Sequence, residues 1–342
     1  MKECMNSTYE GLLKRGFSPI KGYDEETGTY LDVRKEINPD IIFYTKFWKP
    51  HFHPNFYIDK FRDKMTLLID YGYNITGHAE AMNFELQNSV DIYFYYSPIQ
   101  KEISSRYMNN KAKNVVVSGA PKLDPIFSSH YIPKDPWKPQ SKRKKRIIWA
   151  PHHEDKAPVN MYQLDAFYDL YEVMFEIADK YKEEVQFAFK PHPLLKVKLY
   201  EKWGETATNR YYEKWDNLEN GQLEDGEFID LFLTSDAMIL DCLSFIAEYT
   251  ATGKPALFTI GSKSRVLLNE LGKELYEYLY HAQDTLKHDI CHFIEDVVIA
   301  GNDVKKEERI KFINENLRSP NHKTAAENVY DSICSYIING KI

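Results

Sequence analysis

Lys190 and His192 stand two apart in FKPHPLL, each followed by a proline, directly after the apolar run VQFAF. A lysine and a histidine in such a turn can hold a phosphate or protonate a leaving group. The same turn equally suits a histidine that caps a helix. Three further stretches place polar residues just after an apolar run. IIWAPHHEDK supplies His152, His153, Glu154 and Asp155, and VSGAPKLDPIF supplies Gly119, Lys122 and Asp124. A glycine there permits close backbone approach, and a lysine supplies charge. DAMILDCLSFIAEYTATGKP carries Asp241 at the end of its apolar run, Ser244 in the first turn of the following amphipathic stretch, and Glu248 one turn later. A helix start offers unpaired N–H groups to an anion, a serine hydroxyl can reach a phosphate, and a glutamate can accept from a ribose hydroxyl. Spacing alone favours the plainer role, in which Asp241 and Ser244 cap the helix.

The elements that must position these residues alternate in type. Strands are expected at 40–44, 66–71, 91–97 and 114–119, then at 147–151, 185–193, 237–241 and 255–258. Leu164, Phe167, Leu170, Tyr171, Met174 and Ile177 fall on helical spacing and predict one helix from Val159 to Lys182. Short helices are expected over 228–235 and 243–253. Strands alternating with helices imply parallel sheets flanked by helices, and such sheets bind ligands beyond the C-terminal ends of their strands. Between the two series lies IPKDPWKPQSKRKKR, with three prolines, seven Lys/Arg and no apolar periodicity. It reads as a linker over 132–146 between an N-terminal domain, 1–131, and a C-terminal domain, 147–342. A cleft is expected between them, lined by Gly119, His192 and Ser244. Before Asp40 there is room for one helix and one weak strand, so the first half reads as abbreviated, or as part of a longer protein.

Composition narrows the function classes. Two domains are the default for 342 residues. With 51 acidic against 44 basic residues and a net charge of −7, the chain does not read as a nucleic-acid binder. Cys4, Cys242, Cys291 and Cys334 are scattered without a CxxC, which suits a reducing compartment. No apolar run approaches the ~18–20 residues of a membrane span, and the N-terminus lacks a signal peptide's apolar core. The expectation is a cytoplasmic protein, with contact to the inner membrane face left open. His51/His53 and His288/His292 lack a convincing third ligand, so no metal site and no tightly bound cofactor is expected. GxSxG, Walker A and GxGxxG patterns are absent.

Taken together and in this order, the segments resemble the CDP-glycerol glycerophosphotransferase family, the teichoic-acid and capsule polymerases with a GT-B fold. VSGAPKLD is similar to the family's G-x-P-R-x-D, IIWAPHHED to its strand-A-P-T-W-R, and FKPHP to its K-x-H-P. SDAMILDCLSFIAEYTATGKPALF is similar to its S-D-x-x-I-T-D-Y-S-S-x-x-x-[DE]-x-x-x-x-x-K-P. The likeness covers roughly residues 65–300.

The resemblance implies an α/β, GT-B-like fold of two Rossmann-like domains. It implies a CDP-activated donor, CDP-glycerol or a related CDP-polyol, whose diphosphate is cradled by Asp241, Ser244 and the following helix start. Gly119, Lys122, His152, Lys190 and Glu248 join them in donor binding, and His192 becomes catalytic. The implied partners are that donor and a polysaccharide or lipid-linked acceptor hydroxyl at the cell surface. Three departures stand out. The family's W-H-G histidine corresponds to IDYGYNITGH, which leaves Asp70, Tyr71 and His78 as candidate bases. His153-Glu154 stands for W-R, and Lys122 stands for the arginine of G-x-P-R. A GT-B sugar transferase and a non-catalytic scaffold of polysaccharide assembly are the alternative readings.

Overall fold

The structure is a computed structural model; it describes residues 9–77, 82–153, 164, 166–262, 266–283 and 285–339. The larger sheet is built from β7 (Lys145–Ala150), β8 (Val185–Phe189), β9 (Gly221–Leu223), β10 (Ala237–Leu240), β11 (Ala256–Thr259) and β12 (Tyr280–Ala282), in the order β12-β11-β10-β7-β8-β9. Every adjacent pair is parallel. A parallel sheet is covered on both faces, so its central strands carry continuous apolar runs rather than alternating ones. VQFAF is buried at all five positions, and AMIL and ALFT at all four. The order runs outward in one direction from β7 and in the other from β10. The crevice where the winding reverses therefore lies between the ends of β7 and β10.

On one face the core is aromatic. Trp149 of β7, Phe189 of β8 and Trp215 of the helix Glu205–Asn217 pack with ring centroids 5.0–5.4 Å apart, and Phe175 of the helix Val173–Lys180 stacks on Trp215 at 4.6 Å. The single helix expected over 159–182 is broken in its described part, into Ala166–Leu170 and Val173–Lys180. The break lets Tyr171 turn toward Trp203 (5.1 Å) while Phe167 stacks on Trp149 (5.9 Å).

The smaller sheet contains β3 (Ile41–Tyr44), β4 (Met65–Ile69), β5 (Ile92–Tyr95) and β6 (Val115–Val117), in that order, with a two-stranded hairpin, β1 (Tyr23–Asp24) and β2 (Thr29–Tyr30), preceding it. The chain divides into two compact units. One holds residues 1–70 and 84–93, and the other holds 71–83 and 94–342. In the first, β3 and β4 pair in parallel from Ile41↔Met65 to Tyr44↔Leu68, and Asp91 accepts from the Thr66 N–H and hydroxyl at 2.7 and 3.0 Å.

The basic segment 132–146 is less free than its composition predicts. Trp137 is buried and donates to Thr234 Oγ1 at 3.0 Å, Pro136 O and Lys138 O accept from Gln222 and Gln186, and Lys145 already belongs to β7. One tryptophan and two glutamines tie the segment into the second unit, of which it is part; charge counting cannot reveal such partners.

Gly119, just past β6, adopts φ +83°, and a Cβ there would stand 2.9 Å from the Ser319 Cα. Its neighbours are equally committed to the C-terminal helix Ala325–Asn339. Asp124 accepts from the Ala325 and Ala326 N–H groups at 2.7 and 3.0 Å, and Asn328 donates to Ser118 O. The closely approaching backbone is thus the chain's own. Gly119→Ala is expected to cost about 2–4 kcal/mol in urea unfolding, from left-handed strain plus the clash. Gly204→Ala, at φ +78° and ψ 164° with nothing within 4 Å of the added carbon, is expected to cost about 1–3 kcal/mol from backbone strain alone.

Candidate active site

Three strands of the large sheet end side by side, and each hands over to a residue singled out by the sequence. The register sets Leu240 beside Ala150 and Trp149 beside Phe189. Beyond β7, Pro151 has no N–H to continue the ladder. Its carbonyl instead accepts the His192 N–H at 3.0 Å, while Lys190 N–H bonds Trp149 O at 2.8 Å. Beyond β10, Asp241 is buried, and its two carboxyl oxygens accept the His152 N–H at 2.5 Å and the Ala166 N–H at 3.2 Å. Asp241 therefore caps the helix that follows β7, 75 residues earlier in the chain, and not the helix after itself, as spacing suggested. The turn after β10 is instead a 3-10 turn, Leu243–Phe245, leading into the helix Ile246–Thr250, with Ser244 exposed on it.

These bonds bring His152, His153 and His192 together. Their ring centroids lie 4.3 Å (152–153), 5.0 Å (152–192) and 4.2 Å (153–192) apart, and one ring nitrogen from each lies within 4.8 Å of the others. Burial, aided by the His153 and His192 rings, pushes His152 down to about 3; burial and His153 push His192 down to about 4; burial and Lys198 lower His153. All three shifts favour the neutral imidazole. This cluster involves neither of the histidine pairs weighed in the sequence. The pairs 51/53 and 288/292 led nowhere, and the triad comes from two strand ends. What joins His153 to His192 is that HH and KPHP follow neighbouring strands, β7 and β8.

His192 is the N-cap of the 11-residue helix Pro193–Trp203, and its Nδ1 accepts the Leu194 N–H at 3.1 Å. A neutral imidazole accepting at Nδ1 carries its proton on Nε2, so Nε2–H is the donor His192 has left. Lys190, also buried, donates Nζ to Gly226 O at 2.6 Å. Its burial lowers the amine, an effect opposed by Glu224, Asp225 and Glu227. Lys254 of the GKP turn donates to Phe232 O and Leu233 O, both at 2.7 Å, and so serves the C-terminal end of the helix Ile229–Thr234.

A second cluster forms around Lys122. Its Nζ donates to Tyr71 O at 2.8 Å and forms a short ion pair with Glu248 Oε1. Gly72 lies beside the pair: a Cβ there would sit 3.7 Å from Lys122 Nζ and 3.8 Å from Glu248 Oε1, in ordinary contact with both. Glu248 is buried, and its Oε2 has no hydrogen-bond partner among the described residues. Tyr73, buried and titrating well above its ordinary range, owes part of that shift, after burial, to the Glu248 charge.

In the first unit, Asp70 directly follows β4 as a buried carboxyl. Oδ2 accepts the Tyr93 hydroxyl at 2.6 Å, Tyr93 in turn accepts from Gln87 at 3.2 Å, and Oδ1 is unpartnered among the described residues. Burial pushes Asp70 up to about 7 despite the Tyr93 bond. His78, the other candidate base, lies outside the described residues.

The model of the family described as CDP-Glycerol:Poly(glycerophosphate) glycerophosphotransferase matches residues 64–335. No curated protein sequence matches the chain. Among solved structures, the wall teichoic acid polymerase TagF, as a histidine-to-asparagine variant, is similar at TM-score 0.58 and 13% identity over 88% of this chain and 74% of that one. The S. aureus MnaA–UDP co-structure is similar at TM-score 0.57 and 15% identity over 90% and 78%. The same TagF variant soaked with CDPG is similar at TM-score 0.53 and 12% identity over 88% and 73%. These likenesses establish the fold, which is GT-B-like.

The buried Asp70 makes a pH prediction. Its folded pKa, about 7, lies above the ordinary 3.8, so the folded state holds a proton that the unfolded state releases. Its contribution to stability is complete below pH 4 and is lost as pH rises through 7, by on the order of 4 kcal/mol. Asp70→Asn keeps an acceptor for Tyr93 and should remove that slope, so that melting temperature rises relative to wild type between pH 4 and 8. Parallel slopes for the two proteins would contradict the assignment.

Proposed function

We propose, from the premise that this chain belongs to the CDP-glycerol:poly(glycerophosphate) glycerophosphotransferase family, that the strand-end histidines hold the diphosphate of a CDP-glycerol donor. The chain is a CDP-glycerol glycerophosphotransferase-like enzyme of GT-B-like fold. In our reading residues 147–342 serve the donor and 1–131 the acceptor side, joined through 132–146. An acceptor hydroxyl attacks the phosphorus that bears glycerol, the bridging P–O bond to the cytidine side breaks, and CMP leaves with the bond's electron pair. The hydroxyl proton passes to a base. The acceptor is a hydroxyl of a teichoic-acid-like or other cell-surface polysaccharide, met at the cytoplasmic face of the membrane. Among the described residues no helix is long and apolar enough to cross a membrane.

The observation that carries this reading is the capped His192. With Nδ1 engaged by Leu194 N–H, the imidazole keeps Nε2–H as a donor for the leaving phosphate, at the N-terminal, positive end of an 11-residue helix. His152 lines the same cluster, and Ser244 adds an exposed hydroxyl beyond the neighbouring strand. Asp241, Lys190 and Glu248 act by holding: Asp241 fixes the His152 loop, Lys190 the loop at Gly226, and Glu248 orients Lys122 toward Tyr71. Gly119 lets the segment carrying Lys122 pack tightly. For the base we assign Asp70, a carboxyl poised near neutrality at the end of β4, directly before the Tyr71-Gly72 turn. His78 and Tyr71, both in the same stretch, are the other candidates; tyrosine at its ordinary pKa is a weak base.

The test is CMP release from CDP-glycerol with a teichoic-acid-like acceptor. His192→Ala should lose about a hundredfold or more, roughly 3 kcal/mol, from the loss of a charge-stabilising donor. His288→Ala, at an exposed position on the helix Leu286–His292, should leave the rate unchanged. Equal rates in two folded variants would sink the site.

A further inference from the structure

The three histidines raise a question of charge. A diphosphate needs positive charge or donors beside it, and the cluster where β7 and β8 end is made of three imidazoles. Two lysines nearby are held by other partners: Lys190 Nζ is bonded to Gly226 O, and Lys198, whose field reaches His153, is paired with Glu201 at 3.5 Å. A neutral imidazole is the ligand form for borderline first-row divalent cations, and zinc sites with three protein nitrogens keep a fourth position open for substrate or water.

We propose that His152, His153 and His192 form a binding site for one divalent transition-metal ion, of the zinc class. The geometry carries it: one ring nitrogen from each lies within 4.8 Å of the others, a spread that a small side-chain adjustment closes onto one ion. His153 Nδ1 is buried with no hydrogen-bond partner among the described residues, a cost that metal ligation removes. The backbone around the cluster is fixed before any ion arrives, by Asp241 on the His152 N–H and by Pro151 O on the His192 N–H. His192 joins through Nδ1 by exchanging the Leu194 N–H for the metal, or through Nε2 with that cap bond released. Ligation through Nδ1 leaves Nε2–H free to donate. An ion here would supply Lewis-acid charge to a phosphoryl oxygen. That last role rests on the proposed function; the metal site itself does not.

The experiment uses the untagged full chain, stripped with EDTA and titrated with CoCl2, whose visible absorption reports tetrahedral nitrogen coordination. The expected result is saturation at one cobalt per chain, bleaching of the bands by ZnCl2, and about a hundredfold weaker binding in both His153→Gln and His192→Gln. Far-UV circular dichroism checks that both variants fold, and the half-buried His153 makes the first the safer of the two. No saturable absorption in wild type, or unchanged affinity in both variants, overturns the site. CMP release from CDP-glycerol is measured in the same samples with and without zinc. Absent turnover in all of them counts against the enzymatic reading alone, because the cobalt titration decides the metal site by itself.

Discussion

The arrangement depends on one buried carboxyl group. Asp241 stands where the winding of the large sheet reverses, and it accepts two backbone N–H groups from the loop and helix that follow the neighbouring strand. Hydrogen bonds to a carboxylate are worth about 1.5–3 kcal/mol each, and an unpaired one in the interior costs more than that. The group therefore has two stable options, to be fully bonded or to be absent. Because it is bonded to His152 and Ala166, the chain leaving β7 is pinned beside β10, and Pro151 O is free to take the His192 N–H from β8. Three strand ends become one surface through these few bonds.

Much of this was legible in the sequence because the central strands are buried on both faces. Runs such as VQFAF and AMILD have no alternation to disguise them, and each stops abruptly at a polar or proline turn. β9 and β12 left no comparable trace, since GQL and YHA are three residues long and partly polar. The roles of individual site residues were harder to read. The partner of Asp241 is 89 residues away, that of Lys122 is 126 away, and that of Asp124 is 201 away. A capping motif is a local pattern and suggests a local partner. Gly119 shows the same limit: its spacing fits a phosphate loop, whereas its φ and its neighbour Ser319 point to the packing of the C-terminal segment.

The site also departs from its family pattern in a consistent direction. Where that pattern has arginine, this chain has lysine at 122, already paired with a buried glutamate, and the other family cation gives way to the His153-Glu154 stretch. The positive charge expected beside a diphosphate is thus thinner than the motif implies. In the proposed reading, histidines, a helix N-terminus and a metal ion would take its place. Each of these acts at short range and in a desolvated setting, where electrostatic effects are larger than at an exposed lysine.

The central claim is that the donor diphosphate sits where β7, β8 and β10 end. Amide hydrogen exchange of the full chain with and without CDP-glycerol tests it most directly. Slowed exchange concentrated at 152–153, 192–195 and 243–246 is the result this account predicts. Protection confined to other parts of the chain at saturating CDP-glycerol would contradict it.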